Sequence, residues 1–547
     1  MSDTNFRLFD TYKKNIVPIN PNEPGKIKLY SCGPTVYGYQ HIGNMRAVWL
    51  ASTLVDFLDL LGLETQWILN ITDVGHLVGD GDDGQNTVDG EDKLEKGAKK
   101  EGKSVQEIIQ FYQSDYELQC GQLNINIPIV KNYPRATEYI PEQMILALTL
   151  LKNKKAYLLD DGIYFDSEAN RDLVVPFEIN IGDNDFTGRD IKNTIKNPAD
   201  FALWKFVSSD SLQKWRFENF PQAMEVVNTL YDFNLTQPNI ADKNGKKPVL
   251  NPATGEYSTI HELKKQWGSP GWHSECVAMI CKLANGGFPP ILDKNSFVID
   301  IHLGGEDHID IHHKNEILQS KALGFHLSNH WIHNKFVTVD GKKMSKSVGN
   351  IYMISGQKSV TGVESLVENG FDPLAYRLMM MEHHFTSQLD FTWDKLQQSQ
   401  NRLYNLRKET AKIISFGKTQ KTVEQTSSNP EKSQLNSLLS PLRDNLNIPK
   451  FLEHYEHLVN QASNNIKTQQ LTEPGILETL IYLDQKFLKL DLFPQIADEL
   501  TALAEERLLA KQNKDYVLSD QIREKISILD FQIDDYTWGY GLWKKTN

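Results

Sequence analysis

Hydrophobic and polar positions change their period several times along the first part of the chain. Residues 26–32 have the pattern of a short buried strand, and apolar residues at helical spacing follow over 44–62, where the pattern stops at a glycine. A second strand pattern covers 64–73. A strand, a helix and a strand in succession favour a right-handed parallel unit, so the pattern predicts a doubly wound α/β sheet.

The later segments alternate in the same way. Residues 125–205 combine short strands with turns and are predicted to form an inserted subdomain. Apolar periodicity returns at 272–282, a strand and its loop are predicted at 297–305, a helix at 312–324, and a strand followed by a lysine-rich loop at 334–350. These elements extend the α/β architecture through the middle of the chain.

Helical spacing dominates from residue 396 to residue 547. A low-complexity stretch at 416–434 interrupts it. Two other polar stretches are predicted to lie at the surface: a loop with a charged helix at 79–103, and a turn-rich insertion at 233–267. The C-terminal part is therefore predicted to be helical, and distinct from the α/β part.

Composition narrows the class of protein. The chain has 547 residues, of which 40% are hydrophobic and 24% charged, and it contains no apolar run of membrane-spanning or signal-peptide length. The net charge of -13 argues against a protein that coats nucleic acid by charge alone, although a local basic patch could still meet RNA. Four cysteines are too few for a disulfide scaffold, so we expect a reducing cytoplasm, with thiols that are buried, catalytic or bound to metal.

The tetrapeptide His41-Ile42-Gly43-Asn44 lies between a predicted strand and the start of a predicted helix. A helix N-terminus favours anions, and a glycine without a Cβ lets a nucleotide approach the backbone. His41 and Asn44 are three residues apart and can point to one side. These features suit a phosphate-binding turn, although an isolated tetrapeptide of this kind is equally compatible with an ordinary helix cap.

The string Gly-Lys-Lys-Met-Ser-Lys-Ser at 341–347 is the second candidate for phosphate chemistry. Lysine ammonium groups are compact charges that suit phosphate oxygens. A loop carrying Lys343 and Lys346 could close over a triphosphate and stabilise the charge that develops on departing pyrophosphate. A solvated basic loop is the plain alternative.

With both strings in this order, the chain resembles a class I aminoacyl-tRNA synthetase, and further strings narrow the resemblance to the cysteinyl-tRNA synthetase family. The resemblance covers nearly the whole chain. The strings that carry it are CGPTVYGYQHIGN at 32–44, NITDV at 70–74, PRATEYI at 134–140, NPADFALWK at 197–205, SPGWHSEC at 269–276, DIHLGGED at 300–307, HHKNEI at 312–317 and DPLAYRLMM at 372–380. Asn44 stands where the class signature has a histidine, and it can donate a hydrogen bond but carries no charge.

The resemblance implies a domain plan. A Rossmann-like catalytic domain with a zinc site is expected at 1–124 and 206–325, and a connective subdomain is inserted between its halves at 125–205. A stem-contact region carrying the lysine loop, an all-α tRNA-binding bundle and a small anticodon-binding domain are expected at 326–395, 396–500 and 501–547, respectively.

The resemblance also implies a reaction, in which L-cysteine is activated by ATP with magnesium to cysteinyl-adenylate and then transferred to the 3′ end of tRNA-Cys. His41, Gly43 and Asn44 would hold the α-phosphate, and Lys343 and Lys346 would hold the pyrophosphate. Cysteine, ATP and tRNA-Cys are the expected partners. We expect a cytoplasmic monomer that makes no contact with a membrane.

One zinc ion per chain is implied by the family, held by Cys32, Cys276, His312 and Glu316. Only the last two are close in sequence, four residues apart on one predicted helical face, so spacing alone does not reveal the set. His302 and Glu306 form a rival pair at the same spacing. His273 and His302 are equally compatible with structural roles, and Cys120 and Cys281 are assigned structural roles.

Four residues are implied around the cysteine substrate. Gly33 and Thr72 would line its pocket, Trp272 would pack against it, and Asp307 would face its ammonium group. Zinc would bind the substrate as thiolate and reject serine, so no editing domain is expected at 125–205. A threonine at a strand end, such as Thr72, could instead satisfy the backbone.

The C-terminal third is expected to bind tRNA. Trp538, Tyr540 and Trp543 could stack on unpaired anticodon bases, although packing of this tail on its own domain is the plain alternative. Two other functions share these motifs. A cysteine:amino-sugar ligase would lack the anticodon-binding end, and an inactive RNA-binding paralogue would not need intact lysine and zinc residues.

Overall fold

The computed structural model describes residues 5–74, 102–128, 130–159, 161–173, 195–230, 263–290, 296–345, 348–419, 432–467 and 475–545. The predicted surface segment at 79–103 and the turn-rich insertion at 233–267 lie almost entirely outside these ranges, as do Lys346 and most of the low-complexity stretch at 416–434.

The described strands are β1 (Arg7–Asp10), β2 (Asn15–Pro18), β3 (Lys26–Ser31), β4 (Glu64–Leu69), β5 (Ala156–Leu159), β6 (Gly162–Phe165), β7 (Ala202–Phe206), β8 (Gly268–Pro270), β9 (Phe297–Gly305), β10 (His326–Asn334), β11 (Val337–Val339), β12 (Lys342–Lys343), β13 (Leu389–Phe391), β14 (Phe531–Tyr536) and β15 (Gly539–Lys544). The described α-helices are α1 (Ile42–Leu60), α2 (Val105–Gln122), α3 (Ile140–Lys152), α4 (Pro221–Leu230), α5 (Trp272–Asn285), α6 (Lys314–Ala322), α7 (Lys358–Thr361), α8 (Pro373–Met381), α9 (Trp393–Thr419), α10 (Lys432–Arg443), α11 (Ile448–Lys467), α12 (Ile476–Leu483), α13 (Asp498–Gln512) and α14 (Tyr516–Ile528).

A parallel four-stranded sheet in the order β10-β9-β3-β4 confirms the predicted doubly wound architecture. The chain passes from β3 to β4 on one side, and later returns to the other side of β3 through β9 and β10. Ligands of open α/β sheets bind where the strand order reverses in this way, at the carboxyl ends of the strands. The crevice between the ends of β3 and β9 is therefore where a site is expected.

Strand pairing crosses two of the predicted domain boundaries. Strands β5 to β8 form one antiparallel sheet, so the inserted unit reaches residue 270, well past the boundary predicted at 205. Strand β10 belongs to the parallel sheet, although the boundary at 325 assigned it to the next region. In both cases the strand joins the sheet through hydrogen bonds to partners that are distant in sequence.

The lysine-rich loop follows a tight hairpin formed by β11 and β12. Val339 pairs with Lys342 across a two-residue turn in which Asp340 and Gly341 both have positive φ, 49° and 73°. An Asp-Gly pair at these positions matches a hairpin turn whose twist suits the flanking strands. Asp390 on β13 accepts hydrogen bonds from the Gly341 amide and the Thr338 hydroxyl and so anchors this turn.

The described residues of the C-terminal part are mainly helical up to residue 528, as predicted, after which the structure differs. Residues 531–544 form the antiparallel hairpin β14–β15, not a helix. Buried Arg407 on α9 connects the helices to the hairpin. It donates hydrogen bonds to the Asp372 carboxylate and to the backbone oxygens of Leu490 and Lys544. None of the helices in the described ranges is long and apolar enough to cross a membrane.

Candidate active site and metal centre

The fold brings the four predicted metal ligands together at the sheet crevice. Cys32 follows the last residue of β3, Cys276 lies on α5, His312 lies in a π-helical turn at Ile309–His313, and Glu316 lies on α6. One ligand atom from each side chain falls within 4.8 Å of the other three. Cys276, His312 and Glu316 are buried and Cys32 is half-buried.

Buried Glu316 is a carboxylate that requires a positive partner. Its two carboxylate oxygens are shielded from solvent, and the nearest partners are His302 Nε2, 2.9 Å from one oxygen, and His312 Nε2, 3.1 Å from the other. A buried carboxylate is costly unless cations satisfy it, a role that protonated histidine fills in the metal-free cluster and that a metal ion would fill when bound. Two thiols, an imidazole and a carboxylate are also the ligand types that zinc takes in proteins, so the residues fit a zinc ion.

The metal-free cluster holds protons at neutral pH. Burial raises the pKa of both ligand thiols, and that of Cys276 lies well above its usual range. Burial acts to lower the pKa of His312, but the neighbouring Glu316 and Cys276 raise it to about 10. Burial acts to raise the pKa of Glu316, yet His302 and His312 hold it well below its usual range.

Aromatic rings surround the cluster and limit its motion. The Trp272 ring stacks on His312 with centroids 4.5 Å apart and planes at 21°, and His273 Nδ1 lies 3.3 Å from His312 Nδ1. His302 stacks on Trp331 at 4.5 Å. The predicted packing residue Trp272 thus lies directly against a predicted metal ligand.

Two alternatives to the predicted ligand set can be compared with the structure. His302, on β9, and Glu306, in the turn after it, do not pair: Glu306 contacts Lys335 and Phe336 instead. A second group of potential ligands, Cys32 with His302 and His313, shares one thiol with the first group. His313 Nδ1 lies 2.7 Å from His333 Nε2, so this ring already has a partner on its far side.

The predicted cysteine pocket is organised by a residue that sequence reasoning missed. Asn70 is 1% exposed, its Oδ1 accepts from the Gly33 amide at 2.9 Å, and its Nδ2 donates to Thr72 Oγ1 at 3.1 Å. The backbone of Thr72 is engaged as well, because its amide donates to Pro34 O. Exposed Asp307 lies in the turn after β9, with its carboxylate folded over Gly305.

A glycine is required at position 33 because the backbone there packs directly against the backbone of Asn70. A Cβ at this position would lie 1.7 Å from the Asn70 carbonyl oxygen, which is impossible without moving one of the two chain segments. The string at 70–74 pointed to this region, but it carried no indication that the Asn70 side chain connects Gly33 with Thr72.

The tetrapeptide at 41–44 forms the N-terminal cap of α1. His41 Nδ1 accepts from the Gly43 amide at 3.2 Å, and Asn44 Oδ1 accepts from the His41 amide at 3.1 Å. The space left by the missing Cβ of Gly43 holds part of the lysine loop: a Cβ there would lie 2.3 Å from Met344 Cε. The two predicted phosphate-binding strings are therefore in contact.

The described part of the lysine loop is shaped by Asn350. Its Oδ1 accepts from the Ser345 amide at 2.9 Å, and its Nδ2 donates to Lys343 O at 3.1 Å. The side chain of Lys343 is exposed, and its ammonium lies 4.8 Å from the centroid of the Phe336 ring. Lys346 lies outside the described residues.

Comparison with known proteins identifies the family. The profile described as tRNA synthetases class I (C) catalytic domain matches residues 18–78, 84–218 and 245–401. The cysteine–tRNA ligase of Treponema denticola is 31% identical over 97% of this chain and 97% of its own length. The chain belongs to the cysteinyl-tRNA synthetase family. The cysteine–tRNA ligase 1 of Burkholderia lata is 30% identical over 98% of this synthetase and 96% of its own length.

Membership of this family confirms that the protein is an aminoacyl-tRNA ligase with the class I fold.

The residues predicted to contact the anticodon are half-buried and have partners within their own chain. Trp538 stacks on Tyr536 and meets Phe416 edge to face, and Trp543 donates from Nε1 to Asp534 Oδ2 at 2.8 Å. Tyr540 packs against the small core of α13, α14 and the hairpin.

Proposed function

We propose that this synthetase activates L-cysteine with ATP and magnesium, transfers the cysteinyl group to tRNA-Cys, and selects cysteine through a bound zinc ion. The observation that carries the proposal is the meeting of Cys32, Cys276, His312 and Glu316 at the sheet crevice, with one ligand atom of each within 4.8 Å of the others. Near full-length similarity to cysteine–tRNA ligases supports the same reaction.

Selection of cysteine over serine is the chemical problem that this site would solve. A pocket shaped only by van der Waals contact separates such near-isosteres by roughly a hundredfold. When bound, zinc would supply a Lewis acid that holds sulfur as thiolate and holds a protonated hydroxyl poorly. The protein's own part is to fix the ligands: Trp272 stacks on His312, and His302 lies against Glu316.

The remaining pocket residues suit the other groups of cysteine. Gly33 follows Cys32 directly, and Asn70 holds the amide of Gly33 and the hydroxyl of Thr72 in place. Asp307 is exposed beside the same crevice and offers a carboxylate to the substrate ammonium. These contacts would orient the substrate carboxylate toward ATP.

In the first step, the cysteine carboxylate would attack the α-phosphate of ATP and release pyrophosphate. The attacking group is already ionised, so positioning and neutralisation of charge supply the rate. His41 and Asn44 at the N-terminus of α1 would hold the α-phosphate, and Lys343 and Lys346 would hold the pyrophosphate. Contact between Met344 and Gly43 supports an assembly of the two phosphate-binding segments around one nucleotide.

In the second step, the 2′-hydroxyl of the terminal ribose of tRNA would attack the adenylate. The helical region and the hairpin domain that extend to residue 545 favour a tRNA acceptor over an amino sugar. Trp538, Tyr540 and Trp543 stay candidates for base contacts through their half-exposed faces.

Metal content and charging specificity test the proposal. Cys276 and Cys281 provide a matched pair, because both are buried on α5 and only Cys276 belongs to the ligand set. We expect one zinc per wild-type chain, zinc loss and weakened preference for cysteine over serine in Cys276→Ala, and retention of both in Cys281→Ala. Cysteine-specific charging of tRNA-Cys by zinc-free enzyme would contradict the role of zinc, and wild-type enzyme unable to charge tRNA-Cys would contradict the activity.

A further inference from the structure

A two-residue link connects the catalytic sheet to the lysine loop. Lys335 and Phe336 follow β10, the edge strand of the parallel sheet, and precede β11, the first strand of the lysine hairpin. Any change in the direction of this link would move Lys343 relative to the sheet.

Glu306 holds the link from one side. Its Oε1 accepts from the Phe336 amide at 2.6 Å, and its Oε2 lies 2.5 Å from Lys335 Nζ. Glu306 itself lies in the turn after β9, directly before Asp307. The link is thereby connected to the loop that carries the proposed ammonium-binding carboxylate.

Arg46 holds the link from the other side. Its guanidinium is fully buried and donates through Nη1 to Lys335 O at 2.8 Å and to Phe336 O at 3.1 Å. Its Nη2 donates to the backbone oxygens of His384 and Ser387. Arg46 lies on α1, two residues after Asn44, so the same link is also connected to the phosphate-binding turn.

One peptide group is therefore held at both of its polar atoms. Arg46 binds the carbonyl of Lys335 and Glu306 binds the amide of Phe336, which belong to the same peptide plane. The side chain of Phe336 connects this peptide to the lysine loop, because the Lys343 ammonium lies over the Phe336 ring at 4.8 Å from its centroid.

We propose that Glu306 and Arg46 are positioning residues for adenylate formation, which hold the Lys335–Phe336 peptide so that Phe336 presents Lys343 to the pyrophosphate of ATP. This inference rests on the proposed function, since it assumes that Lys343 acts on ATP. It assigns Glu306 a role in the first reaction step only. Binding of cysteine and transfer to tRNA use other groups.

Substitution of Glu306 provides the test, and thermal unfolding of each variant checks that it folds; the Glu306 side chain is half-buried. Glu306→Leu removes the acceptor of the Phe336 amide, and we expect adenylate formation to slow by about 5- to 30-fold, the factor associated with one unpaired amide. Glu306→Gln keeps an acceptor oxygen and should recover most of this rate. Glu364→Leu is the control, since it removes a carboxylate from an ion pair with Lys358.

Single-turnover kinetics separate positioning from general damage. In Glu306→Leu, the dissociation constant for cysteine and the rate of transfer from preformed adenylate to tRNA-Cys should stay within about twofold of wild type. In a Lys343→Ala background, Glu306→Leu should add little further loss, because both changes act through one side chain. Wild-type adenylate formation in Glu306→Leu, equal slowing of both steps, or fully additive losses would each overturn the inference. Wild-type enzyme that forms no cysteinyl-adenylate would instead refute the proposed function.

Discussion

The Asn70 side chain offers a sharp test of how the cysteine pocket is built. Asn70→Ala removes the acceptor of the Gly33 amide and the donor to the Thr72 hydroxyl, at 2.9 Å and 3.1 Å. Asn70 is only 1% exposed, so water has little access to replace either partner. The two residues that it positions are those proposed to line the substrate pocket.

The expected size of the effect follows from these two bonds. Each buried hydrogen bond contributes about 1 kcal/mol, and an amide left unpaired costs somewhat more, so about 2 kcal/mol should be lost. The backbone of Gly33 cannot easily adjust, because it already approaches Asn70 O so closely that a Cβ would lie 1.7 Å from that oxygen. The part of this loss that reaches the substrate-bound transition state lowers kcat/KM for cysteine, and the full loss of about 2 kcal/mol would correspond to roughly a 30-fold fall.

Pyrophosphate exchange measures this loss, with cysteine varied at saturating ATP and then ATP varied at saturating cysteine. We expect the KM for ATP to change less than about twofold, since His41 and Lys343 do not contact Asn70. Asn170→Ala is a matched control: Asn170 is 2% exposed and donates to Lys155 O and Asp166 O in the inserted unit. Equal losses for cysteine and ATP, or wild-type kinetics in Asn70→Ala, would refute this account of the pocket.

Two further predictions concern the metal and the C-terminal region. The raised pKa values of Cys32, Cys276 and His312 keep them protonated in the metal-free enzyme near neutral pH, so zinc uptake should release close to three protons and tighten steeply between about pH 6 and pH 8. Calorimetry in buffers of different ionisation enthalpy counts these protons, and release of one or none would contradict the protonated cluster. Arg407→Met should lower stability by about 3–5 kcal/mol, because it leaves the buried Asp372 carboxylate without its cation. Thermal unfolding measures that loss, and an unchanged midpoint would show that the ion pair is dispensable.

Sequence reasoning succeeded where the signal is local. Strand β9 fills 297–305, where a strand and its loop were predicted, and the helix predicted at 44–62 matches α1 within two residues at each end. Both strings that are proposed to bind phosphate are contiguous, so their residue types and spacing could be read directly. The elements that the sequence did not predict depend on contacts with distant parts of the chain. The hairpin β14–β15, for example, packs on α9, where Trp538 contacts Phe416.

The sequence by itself determined the α/β architecture and the two strings proposed to bind phosphate and, through the family resemblance, pointed to four candidate metal ligands. Only the tertiary structure decided which side chains connect these parts. Asn70 bridges Gly33 and Thr72, and Glu306 reaches across to the link before the lysine hairpin. The physical reason is that periodicity reports which face of an element is buried, whereas a hydrogen bond between two loops depends on where the sheet places the ends of its strands.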